Sequence, residues 1–406
     1  MHKDYDYIIA GGGCAGLSLA YYLSQSRLQH KRILILDTEP KTRNDKTWCF
    51  WSDDPEEIYT QSQVSWSTLN VHTNEGDYQQ FIGPFSYNFV SSLDFYQEKY
   101  EAIKKLPQIE FVYERVLALE PLPDGGKVVT DKGTYTASYI FNSVLFPPQR
   151  QKEREIFLKQ HFYGWYIQTK QSFFNPEEMI LMDFRIPQDE DVRFVYVLPV
   201  SENKALIEFT IFSEEEWDKE TYKKHLESYL QTYFPTLEFE IDSEEIGVIP
   251  MTNRRFKRKL SEHIINIGTA GGATKATTGY TFRRIQKEAQ AIVKSLEEKD
   301  KLELLPASSF RFKVYDNLLL YIILKRGHLV RMIFDRLYRR NDFRTILRFL
   351  EESTKFHEEL WLMIRLPWAP FLRSIKDYYI LRKPLPKAPI RSRKAGMHES
   401  KLSSDI

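Results

Sequence analysis

Apolar residues near the N-terminus come in short unbroken runs. Ile8-Ile9-Ala10 and Ile33-Leu34-Ile35-Leu36 have no polar member, the pattern of strands buried on both faces of a parallel sheet. Between them, Gly11-Gly12-Gly13-Cys14-Ala15-Gly16 leads into an apolar helical run ending at Leu23. Residues 64–90 behave differently, alternating apolar and polar in short runs broken at Asn74-Glu75-Gly76-Asp77, which predicts strands outside the parallel sheet. Leu93 to Leu106 has Phe95, Tyr96, Tyr100 and Ile103 near helical spacing. A strand Ile109 to Tyr113, a hairpin about Asp124-Gly125-Gly126-Lys127 and a buried strand Tyr139 to Ser143 follow.

From Phe157 to Ile249 the pattern becomes antiparallel β. The runs Trp165–Thr169, Met179–Arg185, Arg193–Pro199 and Lys204–Phe212 are rich in Phe, Tyr, Val and Ile, as strands are. A helix over Glu214–Phe234 keeps Trp217, Tyr222, Leu226, Tyr229, Leu230 and Tyr233 on one side. Ile264–Gly268 then reads as a late buried strand, Thr269–Thr274 as a glycine turn, and Thr277–Tyr280 as the approach to a helix through Ile292. Phe310–Arg340 and Phe343–Leu366 read as helices, and the Pro, Lys, Ser and Arg content after Lys383 as a disordered tail. The domain boundaries that follow are a nucleotide-binding lobe of residues 1–156 with 250–300, an antiparallel lobe of 157–249, a basic amphipathic helical region of 301–383, and a tail of 384–406.

Charge sharpens this picture at one end only. The 406 residues carry a formal net charge of +1, so nothing global suggests nucleic acid. Residues 307–406 hold 21 Lys+Arg against 10 Asp+Glu, leaving 36 against 46 in the rest. A basic end on an acidic body suggests a local electrostatic attachment surface. The only cysteines are Cys14 and Cys49; two thiols fit a reducing cytoplasm better than a disulfide framework. The chain enters its first strand within six residues, so no cleavable targeting segment is expected. The longest uncharged apolar run, Leu318–Leu324, has seven residues, against the roughly 20 that a spanning helix needs.

Candidate chemistry begins with strand, glycine turn, helix, strand and acid in that order, the unit that binds a dinucleotide. Gly11 permits the tight turn, Gly13 lets a pyrophosphate approach the backbone, and Gly16 allows close packing of helix on strand. Cys14 and Ala15 open the helix whose N-terminus attracts phosphate. Asp37, 21 residues past Gly16, is placed to accept from a ribose hydroxyl. The second turn, with Gly268, Gly271, Gly272, Thr278 and Gly279, either brings more backbone N–H groups to the same ligand, favouring FAD, or simply connects strand to helix. In residues 42–51 the polar half, with Lys46, could reach the cofactor, while Trp48 and Trp51 line an apolar cavity or plug the core. Glu208 falls where alternation allows a solvent face or a cavity; in an apolar pocket desolvation would make it a proton donor. Asp183 and Arg185, two apart on one strand, could form an ion pair. The aromatic second lobe fits a large apolar substrate or an aromatic-filled core. The basic helices could close a substrate cavity, lie on an anionic bilayer, or present a solvated face.

These residues together resemble the flavin-dependent lycopene cyclases, specifically the bacterial lycopene β-cyclases. The resemblance covers most of residues 4–365. It rests on the start from Asp4 to Ser18, Asn44-Asp45-Lys46-Thr47-Trp48, Met182-Asp183-Phe184-Arg185-Ile186-Pro187, Phe194–Pro199 with Ile207-Glu208-Phe209-Thr210, and Ile267–Gly272 with Thr277-Thr278-Gly279-Tyr280. It implies an α/β, FAD-binding Rossmann-type fold like that of the aromatic hydroxylases, with an antiparallel-sheet substrate lobe and a C-terminal helical region. It also implies a reaction without net redox change. A carboxylic acid, here Glu208, protonates a terminal double bond of lycopene or a related acyclic carotenoid. The ring closes through a carbocation that reduced FAD stabilises, and loss of a proton leaves the β-ring, with NAD(P)H as the reductant of the flavin. Asp183 and Arg185 match the family's acid-x-arginine segment and are assigned to positioning. Arg348-Phe349-Leu350-Glu351-Glu352 looks like the plant enzymes' Phe-Leu-Glu-Glu motif, but it falls in the helical end and receives no catalytic role. Carotenoids live in membranes, so peripheral attachment to the cytoplasmic face is expected. An FAD monooxygenase, a prenyl-chain reductase or a flavin-binding carotenoid carrier would share many of these signals.

Overall fold

Ile8, Ile9 and Ala10 are fully buried because β1 (Tyr5–Ala10) lies inside a sheet covered on both faces. In the computed structural model, which describes residues 3–57, 63–146, 154–299 and 302–385, α1 (Cys14–Ser24) leads to β2 (Ile33–Asp37), which pairs with β1 in parallel. The chain then leaves this sheet. β3 (Thr47–Ser52), β4 (Val64–Trp66) and β7 (Ser86–Ser91) form a three-stranded antiparallel sheet, while β5 (Thr68–Thr73) and β6 (Gly76–Phe81) make a hairpin between them. After the helix Ser92–Ile103, β8 (Ile109–Tyr113) adds in parallel to β2. β9 (Val116–Leu122), β10 (Gly125–Thr130) and β11 (Thr134–Asn142) meander back, and β11 lies parallel to β1.

The second sheet has seven strands. β12 (Phe157–Thr169), β13 (Glu178–Asp183), β14 (Val192–Ser201), β15 (Lys204–Ser213) and β16 (Phe239–Thr252) join the earlier hairpin in the order β16-β12-β15-β14-β13-β5-β6. It thus draws in residues 68–81 from well before the 157–249 segment. One face packs on the helix Lys219–Tyr233 through Tyr222, Leu226, Tyr229 and Leu230. That helix starts later than its hydrophobic pattern predicts because Asp218 caps it, accepting from Thr221 N at 3.0 Å. The other face looks into the molecule, toward the first lobe and the C-terminal helices.

β17 (Ile264–Asn266) returns to the first sheet in parallel with β11. The glycine turn Gly268–Gly271 and the helix Phe282–Lys299 follow, and this helix shares a core with α1. The predicted stretch Phe310–Arg340 divides into Phe310–Arg326 and Val330–Arg340, the stretch Phe343–Leu366 into Phe343–Leu350 and Phe356–Ile364, and a further helix, Trp368–Ser374, lies beyond both. The first break falls at Gly327, where a Cβ would lie 1.9 Å from Glu190 O; only a glycine lets the chain close on that loop. The tail predicted over 384–406 lies outside the described residues from 386 onward. No helix among the described residues is long and apolar enough to cross a membrane.

Candidate functional site

A cavity of about 610 Å³ runs between the two lobes, from Gly13, Cys14 and Ala15 past Asp45–Cys49 to Glu208, and is bounded by Thr278, Gly279 and Tyr280. Its volume is in the range of small-molecule and cofactor sites. Gly11 (φ +100°) turns so tightly under it that a Cβ would lie 2.2 Å from Ser143 Oγ, and a Cβ on Gly16 would lie 1.9 Å from Gly11 O. Above Gly13 a Cβ would meet nothing within 4 Å. Helix α1 has no side-chain cap and no acid in its first turn, so its N–H groups are left to an anion. Asp37 sits at the end of β2, where Oδ2 accepts from Gly12 N at 2.9 Å and pairs with Lys41 at 3.1 Å. It therefore braces the glycine turn as well as standing where a ribose is expected.

The second turn backs the same cavity. Gly268 (φ +58°) is pressed against α1, where a Cβ would meet Ala15 Cβ at 2.7 Å. Gly271 packs over Asn266 O and Gly272 against Phe256, neither bordering the cavity; Thr269, Thr274, Thr278 and Gly279 do border it. Lys46 lines the cavity and pairs with Asp45 at 2.8 Å. Two buried polar atoms on this wall, Gln160 Oε1 and Thr278 Oγ1, have no hydrogen-bond partner. Orphaned polar atoms beside an open, uncapped helix N-terminus fit a ligand with a diphosphate and a polar ring edge.

Glu208 is in the cavity, not on the solvent face. It is 8% exposed, and its Oε1 accepts from Thr210 Oγ1 at 2.7 Å. Burial, reinforced by the neighbouring Glu245 carboxylate, pushes it up to about 8, so it holds its proton at neutral pH. A second, apolar cavity of about 450 Å³ meets the first at Tyr196, Thr278 and Tyr280. Tyr196 is directly opposite Glu208 in the ladder of β14 and β15. Tyr280 is hydrogen-bonded to Tyr196 and, at 2.5 Å, to Tyr87, and Trp51 stands edge-on to Tyr280 with ring centroids 4.7 Å apart. Burial holds these phenols above their ordinary range. The apolar cavity then passes Leu318, Phe334 and Leu347 to Leu360, Ile364, Trp368 and Leu372, which are all about half exposed, from 48% to 58%.

Other sequence candidates are elsewhere. Asp183 and Arg185 form the ion pair the spacing allows, with Arg185 Nε and Nη2 donating at 2.9 and 2.6 Å and Tyr229 OH donating to Asp183 at 2.9 Å. They are not brought to Glu208; they clamp the helix Lys219–Tyr233 to its sheet, with Arg185 4.4 Å over the Tyr233 ring. Glu351 pairs with Arg283, and Glu352 with Lys275 at 2.8 Å and Ser308; both border a third pocket, which adjoins the first at Cys49 and Tyr280 but is not lined by Glu208. Cys14 and Cys49 are free thiols. Sequence reasoning missed Glu245, which is 3% exposed while its apolar neighbours Ile246 and Val248 are 58% and 45% exposed. That inversion of the usual pattern has no local signal.

A family model described as lycopene cyclase protein matches residues 6–376. Among curated proteins, the lycopene beta-cyclase of Pseudescherichia vulneris is 25% identical over 301 residues, covering 71% of this chain and 74% of that one. Among solved structures, a flavoprotein/dehydrogenase from Cytophaga hutchinsonii superposes with a TM-score of 0.60 at 9% identity, covering 89% of this chain and 98% of that one. A mutant of the halogenase PltM, solved in complex with FAD, gives 0.53 at 12% identity over 86% and 82% of the two chains. The fold is that of the FAD-binding flavoproteins.

Proposed function

The chain belongs to the lycopene cyclase family, and from that premise we propose that it closes the acyclic ends of lycopene into β-rings, by way of γ-carotene to β-carotene, with FAD bound in the inter-lobe cavity. The observation that carries this reading is the buried Glu208, its carboxyl raised by desolvation and the nearby Glu245, where a cofactor-sized cavity meets an apolar one. Glu208 gives its proton to the terminal double bond: the O–H bond breaks, a C–H bond forms, and the cation is attacked by the neighbouring double bond. A C–H bond next to the new cation then breaks, and the Glu208 carboxylate takes that proton back, so atoms and electrons balance without oxidation. The apolar lining excludes water that would trap the cation as an alcohol. Tyr196, Tyr280 and Trp51 present ring faces and edges at the junction, where a cation is attracted to aromatic faces.

Gly13, Cys14 and Ala15 would hold the diphosphate of FAD, with Lys46, Thr278 and Gly279 along the remaining wall. When bound in its reduced form, with NAD(P)H as reductant, FAD supplies negative charge against the cation. The half-exposed Leu360, Ile364, Trp368 and Leu372 at the apolar cavity's outer end, with Arg365, Arg373 and Lys376 among them, support docking on the cytoplasmic face of an anionic membrane, from which a C40 chain could slide in without meeting water. Expression in lycopene-accumulating cells tests the reading. Conversion to a cyclic carotene is the expected result; unchanged lycopene beside a folded, flavin-loaded protein would refute it. Oxygen or NAD(P)H consumed stoichiometrically with product would instead select a monooxygenase or reductase.

A further inference from the structure

Glu208 shares its row of the sheet with a second carboxylate. Gly164 of β12 stands opposite Glu208 in the β12–β15 ladder and opposite Glu245 in the β12–β16 ladder. Directly opposed residues turn their side chains to the same face, so the two glutamates flank one glycine on the cavity side. Two strand spacings place their Cα atoms roughly 10 Å apart. The glycine keeps the space between them open, since a Cβ there would lie 3.2 Å from Glu208 Cβ and 3.0 Å from Leu206 Cδ1.

The two carboxyls are unequally served by donors. Glu245 Oε1 accepts from Thr47 N at 2.7 Å, and its Oε2 accepts from Thr47 Oγ1 at 2.5 Å and Tyr166 OH at 3.3 Å. Glu208 has the one bond from Thr210, to Oε1. Hydrogen bonds donated to a carboxylate favour its charged form, and two like charges in a dry site resist ionising together. We propose that Glu245 is a positioning residue of the cyclisation site: it holds the negative charge of a carboxylate pair that shares one proton, and so keeps that proton on Glu208, facing the substrate.

Burial raises Glu245 as well, its donors Thr47 and Tyr166 oppose the rise, and the Asp45 carboxylate adds a smaller push upward. The other titratable groups around the pair are neutral or already paired. Cys49 of β3, Tyr196 of β14, Tyr166 of β12 and Tyr280 are all raised by burial, and Asp45, two residues before Thr47, is tied to Lys46 at 2.8 Å. Among the described residues, the proton affinity of Glu208 is governed by burial, Glu245 and Thr210. Thr47 gives the pair a second connection, because it joins Glu245 to the Asp45–Trp48 segment that lines the cofactor-sized cavity.

This inference rests on the cyclase reading, and the experiment separates the two. Initial rates of lycopene cyclisation in phosphatidylglycerol vesicles, with the flavin reduced chemically, are measured from pH 5.5 to 9 for wild type and Glu245→Gln. The wild-type rate should fall above about pH 8. In Glu245→Gln that fall should begin about one pH unit lower, costing about fivefold at pH 8, approaching tenfold at pH 9, and little at pH 5.5. An unchanged alkaline limb, or a loss that is uniform across pH, would overturn the proposal. A second readout needs no turnover: the infrared carbonyl stretch of protonated carboxyls in the flavin-loaded protein at pH 7. Wild type should show one such band that Glu208→Gln lacks. No band, or a band that survives in Glu208→Gln, would overturn the pair. Should wild type leave lycopene unchanged, the cyclase reading falls, while the infrared band, measured also in Glu245→Gln at pH 8, still decides the pair: it should weaken there relative to wild type, and an equal band would overturn the proposal.

Discussion

Replacing Glu208 by Gln should kill cyclisation and yet make the protein more stable at neutral pH. The carboxyl ionises near its ordinary value of 4.5 in the unfolded chain and at about 8 in the folded one, with burial as the main cause. Between those values the folded state binds more protons than the unfolded state, so stability falls as pH rises. Each pH unit in the window costs about 1.4 kcal/mol. Glutamine resembles the protonated acid in shape, can keep the bond from Thr210, and has no such slope. The variant should therefore match wild type within about 1 kcal/mol at pH 5, exceed it by about 3 kcal/mol at pH 7, and by at most about 5 kcal/mol above pH 8. Unfolding entropy of about 2.1 cal/mol/K per residue over 406 residues turns 3 kcal/mol into a midpoint roughly 4 °C higher. Thermal melts of both flavin-loaded proteins at pH 5, 7 and 8.5, with cyclisation assayed alongside, check this. Parallel melting points across the series would refute the buried-acid argument, and so would a variant that still cyclises lycopene.

Gly11→Ala should abolish flavin binding, read as loss of flavin absorbance in the purified protein, because its Cβ would meet Ser143 Oγ at 2.2 Å on a positive-φ backbone. Asp183→Asn should lower stability by about 2 kcal/mol or more in denaturant titration, since it breaks a pair whose acid is wholly buried. The rate per flavin-loaded molecule should persist, because the pair faces the helix Lys219–Tyr233 and not the cavity. A combined Trp368→Ser and Leu372→Ser variant should lose most of its co-sedimentation with phosphatidylglycerol vesicles while still binding flavin. Wild-type binding should weaken as salt rises, reflecting the basic residues around that surface.

Much of the first lobe is legible in the sequence because its signals are local. A continuous apolar run, a glycine turn and a helix need only neighbours along the chain to specify β1, α1 and β2, and the second lobe's strands show the same kind of signal in their Val, Ile, Phe and Tyr content. The helix after β15 is shifted only at its start, where the Asp218 cap outweighs the apolar pattern. What the chain by itself determined, then, is a dinucleotide turn, an aromatic antiparallel lobe, a basic helical end and Glu208 as a candidate acid. Alternation left Glu208 free to face water or a cavity. The choice required the folding of the C-terminal helices over the second sheet, which creates an apolar cavity ending at Tyr196 and Tyr280. Glu245 was invisible for a related reason: 37 residues separate it from Glu208, and only strand register across Gly164 puts the two on one face. Register and desolvation are set by packing between distant segments, so the cofactor fold could be read from sequence, while the protonation state of its acid could not.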